Sequence, residues 1–207
     1  MTSVSSTERA TLCDLFDELG PDAPTLCEGW TTIDLAAHLY VRERRPDAAI
    51  GVVVKPLAGH TDNTMKGVTK KLGYAGVVQK VRSGPPFPIT LVDSQMNTLE
   101  YFIHHEDVRR AADEWKPRED PELDRVLWSA LRRAARLLTR HVHGAGVDLA
   151  GPGGDTIHAR KGSPLATITG GPQEVVLYLY GRQKVAQVEI DADDAARSAL
   201  DRAHFGV

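Results

Sequence analysis

Cysteine is scarce in this chain of 207 residues, which has only Cys13 and Cys27. Two are too few for a disulfide framework and stand too far apart for a Cys-x-x-Cys metal or redox pair, so a reducing, cytoplasmic setting is expected. Long apolar runs are missing, none approaching the roughly 18 residues of a membrane span. The first 20 residues are polar and acidic where a secretory signal has a basic start and an apolar stretch. Neither a membrane nor export is therefore expected. No run of five basic residues occurs, and 25 Lys plus Arg against 28 Asp plus Glu leave a net charge of -3, which argues against nucleic acid as a partner. Familiar catalytic signatures are absent as well: no P-loop, no Gly-x-Gly-x-x-Gly and no Gly-x-Ser-x-Gly elbow. His105 and Glu106 begin the zinc-protease pattern His-Glu-x-x-His, but Arg109 stands where its second histidine is required.

What is present is an ordinary globular composition, 42% hydrophobic and 26% charged, with eight histidines. Ser5 and Glu8 have the spacing of a capping box, and Leu12, Leu15, Phe16 and Leu19 follow at helical intervals until Gly20 and Pro21 stop them. Thr31 and Asp34 repeat that cap before a second helix, which carries Leu35, His38 and Leu39 to about Arg45. Residues 51–88, interrupted by Gly59, Gly67, Gly73, Gly76 and Gly84, read as a long connection holding one or two short helices, Met65 to Leu72 and Ala75 to Val81, able to act as a crossover or a lid. A third main helix is expected from about Asp93 to Ala112. A fourth, capped by Asp120 with Pro121 at its first position, has the clearest helical period, from Leu123 to Leu138. Composition then turns glycine-rich and β-like. Thr156 to Arg160 and Leu165 to Thr169 read as a hairpin, Glu174 to Tyr180 as a helix, Val185 to Ile190 as a strand and Asp191 to Leu200 as a last helix. The expected architecture is mainly α: a bundle of four main helices over residues 1–145, then a small α+β domain over 146–207.

The chemistry concentrates on the second and third helices. Glu100 and His104 lie one turn apart on one helix face, a spacing that lets a carboxylate and an imidazole grip one metal ion, and His38 points inward from another helix. Two histidines and a carboxylate occupy three positions and leave at least one open, as in catalytic metal sites. Spacing alone leaves a plainer reading standing, in which Glu100 and His104 are a solvated pair and His38 is a hydrogen-bonded core residue. Asp34 and Asp107 are placed to orient His38 and His104, or to act as cap and surface carboxylates. His105 points away, and His141 and His143 are placed to meet the end of the fourth helix. Cys27 has no basic neighbour in sequence and is expected to be structural.

Two stretches carry a family resemblance. Trp30 to Leu39, with Asp34-Leu35-Ala36-Ala37-His38 inside it, and Leu99 to Val108, with Glu100 and His104, resemble the metal-binding domain of mycothiol-dependent maleylpyruvate isomerase and its relatives in the DinB-like four-helix-bundle superfamily. Gly170 to Glu174 and Leu177 to Arg182 resemble that family's small appended domain, although relatives tend to have Leu-Trp-x-Gly-Arg there. The similarity covers most of the chain except 51–88, and is strongest to a subgroup described only as metal-binding.

The resemblance implies a metal held by His38, Glu100 and His104, with zinc first and nickel, iron or manganese as alternatives. It implies a DinB-like bundle and a thiol-dependent transferase or isomerase that takes mycothiol as co-substrate, the metal activating the thiol against an electrophilic small molecule. In relatives the region of Arg182 can face the metal, where a guanidinium suits a substrate carboxylate; the plainer reading is a surface arginine ending a helix. Two other functions stay open: a non-catalytic metal- or ligand-binding sensor or storage protein, and a degenerate dimeric scaffold. The expected oligomeric state is monomer or homodimer.

Overall fold

Helix α1 (Val4–Leu19) begins two residues before the Ser5 cap position, because Ser3 serves as N-cap and accepts from the Ser6 N–H. Ser5 and Glu8 are instead buried inside the helix. In this computed structural model the described residues are 3–45, 48, 58–86 and 94–206. Helix α2 (Thr32–Arg44) starts as its capping box requires, with the Thr31 N–H donating to Asp34 Oδ2 at 3.0 Å.

Helix α3 (Ala58–Arg82) is broken at Gly73, whose φ of 67° and ψ of 170° are not helical and suit glycine, so two helical segments meet there. They contain the two short helices expected within residues 51–88, Met65 to Leu72 and Ala75 to Val81, and the first reaches back to Ala58. Met65, Val68, Val77, Val78 and Val81 are buried along them. Residues 51–57 and 87–88 of the expected connection, and the expected third-helix start at Asp93, lie outside the described residues. The third main helix, α4, runs Ser94–Arg109.

Packing divides the chain at Pro117, giving units Met1–Pro117 and Arg118–Val207. In the first, α1 packs on α3 and α4, and α2 packs on α3. Leu12, Phe16, Leu35, Leu39, Val78 and Tyr101 form much of the core. Residues 101–108 of α4 are all buried. A helix lying on a core buries only one stripe, so eight consecutive buried positions mean that α4 is enclosed on every side. Its polar residues must then find partners in the interior.

The helix expected as fourth in the bundle, α5 (Pro121–Leu138), belongs to the second unit, which places the division well before residue 145. Asp120 accepts from the Leu123 N–H as its cap, and the apolar side of α5 packs on α6 (Pro172–Leu179) and β2 (Thr156–Arg160). Strand β1 (Gly146–Ala150) was not read from the sequence, and it overturns the expected hairpin. It lies between β2 and β3 (Leu165–Thr169), antiparallel to the first and parallel to the second, and β4 (Glu189–Asp191) closes the order β2-β1-β3-β4. The insertion depends on close backbone approach: a Cβ on Gly146 would lie 2.6 Å from the Gly162 carbonyl oxygen. The strand expected over Val185 to Ile190 shrinks to β4, and the last helix, α7, runs Asp194–Arg202. The fold is thus mainly helical with one small sheet. No described helix is long and apolar enough to cross a membrane.

Candidate metal centre

Helices α2 and α4 bring the three residues singled out by spacing to one point. His38 Nε2 lies 3.2 Å and His104 Nε2 3.1 Å from the same oxygen, Glu100 Oε1, and all three atoms lie within 4.8 Å of one another. The two imidazoles meet edge to face with centroids 5.1 Å apart, and Trp30 leans on His38 at 5.2 Å. Arg42, one turn beyond His38, adds its Nε at 3.3 Å from Glu100 Oε1. One carboxylate oxygen therefore faces three nitrogens, more than its two lone pairs can serve. Donor atoms on a tetrahedral ion with bonds of about 2.0–2.1 Å are about 3.3 Å apart, close to the separation of Glu100 Oε1 from each imidazole nitrogen.

The electrostatics follow from burial and from these contacts. Burial works to raise the Glu100 pKa, but hydrogen bonds from His104 and His38 and the charges of His104 and Arg42 hold it well below the usual carboxylate range. Burial likewise works against a charged His104, yet hydrogen bonds with Asp107, Cys27 and Glu100 carry its pKa well above the ordinary 6.5. His38 goes the other way: its burial outweighs the Glu100 hydrogen bond, lowering its pKa. Without a metal the centre holds one imidazolium, one neutral imidazole and one carboxylate.

A proton must therefore leave His104 Nε2 when a cation binds. Because His104 titrates above 6.5, this competition persists through neutral pH and fades only as pH rises through the raised value; His38, already neutral, contributes none. We expect release of about one proton per ion and an affinity that rises by up to about tenfold per pH unit near neutrality. Calorimetry of zinc binding in buffers of different ionisation heat measures this, and zero release at pH 7 contradicts it.

Of the two carboxylates placed to orient a histidine or to act as cap or surface groups, Asp107 is buried and meets His104. Its Oδ2 lies 2.9 Å from His104 Nδ1, and the carboxylate is fully buried. This fixes the Nδ1–H tautomer in the neutral ring and turns the Nε2 lone pair toward Glu100. Asp34 does not do this for His38, since its carboxylate is used by Thr31, and His38 Nδ1 is buried without a hydrogen-bond partner among the described residues.

Cys27 is the residue that sequence reasoning missed. Its thiol donates to Asp107 Oδ2 at 3.2 Å, and the loop that carries it is pinned by the Leu26 N–H donating to the Asp107 carbonyl at 3.0 Å. Cys27, His104 and Asp107 form a second group with metal-ligand chemistry. Its partner is 80 positions away, beyond any local signal. Trp30 also walls a cleft of about 540 Å³, with Asp34, Met65, Lys66 and Lys70 on its other sides, a volume that suits a small ligand.

The other candidates sort as follows. His105 faces away from the triad and meets Glu8 Oε2 at 3.3 Å. Arg182 is in the second unit, half-buried, with its guanidinium donating to the Tyr180 carbonyl at 2.6 Å. His141 and His143 are exposed, and at the end of α5 Arg140 donates to the Leu137 carbonyl. His158 pairs across the strands with Asp148 at 2.9 Å.

No family model matches the chain, and no curated protein does. Two solved structures match over 90% of this chain and 88% of theirs: a mycothiol-dependent maleylpyruvate isomerase, at 17% identity and a TM-score of 0.53, and a histidine-to-alanine mutant of a mycothiol-dependent maleylpyruvate isomerase, at 16% and 0.51. At such identities the likeness is one of fold.

Proposed function

We propose that this chain is a divalent-metal enzyme of the DinB-like, mycothiol-dependent isomerase kind, a transferase or isomerase acting on a small electrophile with a low-molecular-weight thiol such as mycothiol. The observation that carries the reading is the convergence of His38 Nε2, Glu100 Oε1 and His104 Nε2 on one point. The fold shared with the isomerase supports the thiol. Zinc is the first choice of metal, since two imidazoles and one carboxylate suit it.

Held by these residues, the cation supplies a net charge of +1 that favours thiolate over thiol and leaves a position open for it. The chain's own part is positioning and exclusion of water. Asp107 keeps the Nδ1 proton of His104, so that Nε2 presents its lone pair. His38, 4% exposed, stays neutral and ready to ligate. Arg182, expected to hold a substrate carboxylate, carries no part of this reading; it lies in the second unit, where its guanidinium donates to the Tyr180 carbonyl.

Metal analysis of protein purified without an affinity tag tests the first half. About one divalent ion per chain is expected, and its loss in Glu100→Ala; a substoichiometric content unchanged by that substitution ends the reading. Cobalt-substituted protein tests the second half. Mycothiol is expected to change its visible spectrum, and an indifferent spectrum leaves a metal-binding protein without thiol chemistry, of the sensor or storage class.

A further inference from the structure

We propose that Arg42 makes this centre selective for anionic ligands, acting as the group that holds a carboxylate beside the metal. The inference rests on the reading of His38, Glu100 and His104 as a metal centre, and adds to it a residue that neither the spacing of the motifs nor the fold comparison assigns.

The placement comes first. Arg42 follows His38 by one helical turn on α2, so both side chains leave the same face. Its Nε lies 3.3 Å from Glu100 Oε1, and its Nη1 donates to Asn97 Oδ1 at 3.0 Å, which ties the guanidinium to α4 one turn before Glu100. Nη2 has no partner among the described residues. Exposure shows which side of the centre is open. The side chains of His38 and His104 are 5% and 11% exposed, against 25% for Glu100 and 23% for Arg42. A ligand therefore approaches past Glu100 and Arg42, not past the histidines.

The charges then decide what enters. In the metal-free centre Glu100 Oε1 balances Arg42. A divalent ion taking this oxygen would withdraw it from the guanidinium, and two neutral imidazoles, the Glu100 and Asp107 carboxylates, the ion and Arg42 would then sum to +1. One anionic ligand would neutralise that sum and a neutral ligand would not, and the guanidinium released from Glu100 is the group left to meet the anion. A guanidinium with freed donors matches a planar carboxylate in a way an ammonium does not. Glu43, the next residue on α2, does not supply the balance, because its Oε1 already accepts from Arg9 and Tyr101, each at 2.5 Å.

The test uses full-length protein loaded with cobalt(II), titrated with acetate and, separately, with imidazole as a neutral ligand, and followed by the visible spectrum. Arg42→Gln is expected to weaken acetate about tenfold or more while leaving imidazole affinity within about threefold. Arg42→Lys, which keeps the charge and loses the fork, is expected to fall between. Equal acetate affinity in wild type and both variants overturns the proposal. So does parallel weakening of acetate, imidazole and cobalt, which marks Arg42 as a mere support for Glu100. If the wild type takes up no cobalt, the metal-centre reading itself fails, a result separate from either.

Discussion

Replacing His104 by alanine is expected to cost the protein twice. The first loss is metal affinity. Disturbing a residue that only orients a ligand lowers affinity by about 10–100-fold, so removing a ligand that is itself oriented by Asp107 is expected to exceed the upper end of that range. The second loss is stability without any metal. Asp107 is fully buried, and its partners are the His104 imidazolium and the Cys27 thiol. Taking away one member of a buried ion pair costs about 3–5 kcal/mol, softened here because the Cys27 thiol still serves Asp107. The two losses separate in the double variant His104→Ala with Asp107→Asn. Removing the stranded charge is expected to restore part of the metal-free stability and none of the affinity. Zinc competition titrations and urea unfolding read the two effects. Single-variant affinity within threefold of wild type removes His104 from the ligand set.

The second large effect has nothing to do with the metal. Arg110 Nε and Arg109 Nη1 each donate to Glu106 at 2.6 Å, and the side chains of Glu106 and Arg110 are both fully buried. Glu106→Ala is expected to lower stability by about 3–5 kcal/mol, softened by the stacking of Arg110 on Trp115 at 4.1 Å. Arg82 makes contacts just as short, at 2.5 and 2.6 Å, to Asp14 and Asp17. Those carboxylates are 68% and 57% exposed, so solvent already competes for them, and Asp14→Ala is expected to cost less than about 1 kcal/mol. Distance is the same in both cases, and burial sets the difference. The urea midpoint measures both variants, with an unchanged slope showing that the unfolded state is unaltered. Comparable losses at the two sites would falsify the argument from burial.

These effects share an origin in α4. His104, His105, Glu106 and Asp107 are consecutive, and consecutive positions on a helix point about 100° apart, so in an enclosed helix each must be met from a different direction. Glu100 meets His104, Glu8 meets His105, Arg110 meets Glu106, and Cys27 with His104 meets Asp107. Only the partners within α4 or just beyond it have a spacing that sequence displays. Glu8 and Cys27 come from α1 and from the loop before α2.

The same distinction separates the rest. The Thr31–Asp34 cap, the Asp120 cap, the period of α5 and the pair Glu100 and His104 were all legible, because each depends on residues within about one turn of one another. The two segments of α3 were legible around the break at Gly73, and only the reach of the first back to Ala58 was not. The hairpin expectation failed although both strands were correctly bounded: a strand's extent follows from its own residues, whereas its neighbour is set by which backbone can approach, and β1 reaches between them only where Gly146 and Gly162 have no side chains.

The sequence by itself thus determined which side chains stand ready on each element: His38 inward on α2, and Glu100 with His104 on one face of α4. Tertiary structure decided that the two faces meet, that His104 carries its charge between two carboxylates, and that Arg42 stands at the open side. Helical spacing is a property of neighbours and can be counted. Convergence, burial and the pKa shifts they cause depend on chain segments about sixty to eighty positions apart, whose approach is fixed only when the core that holds them has packed.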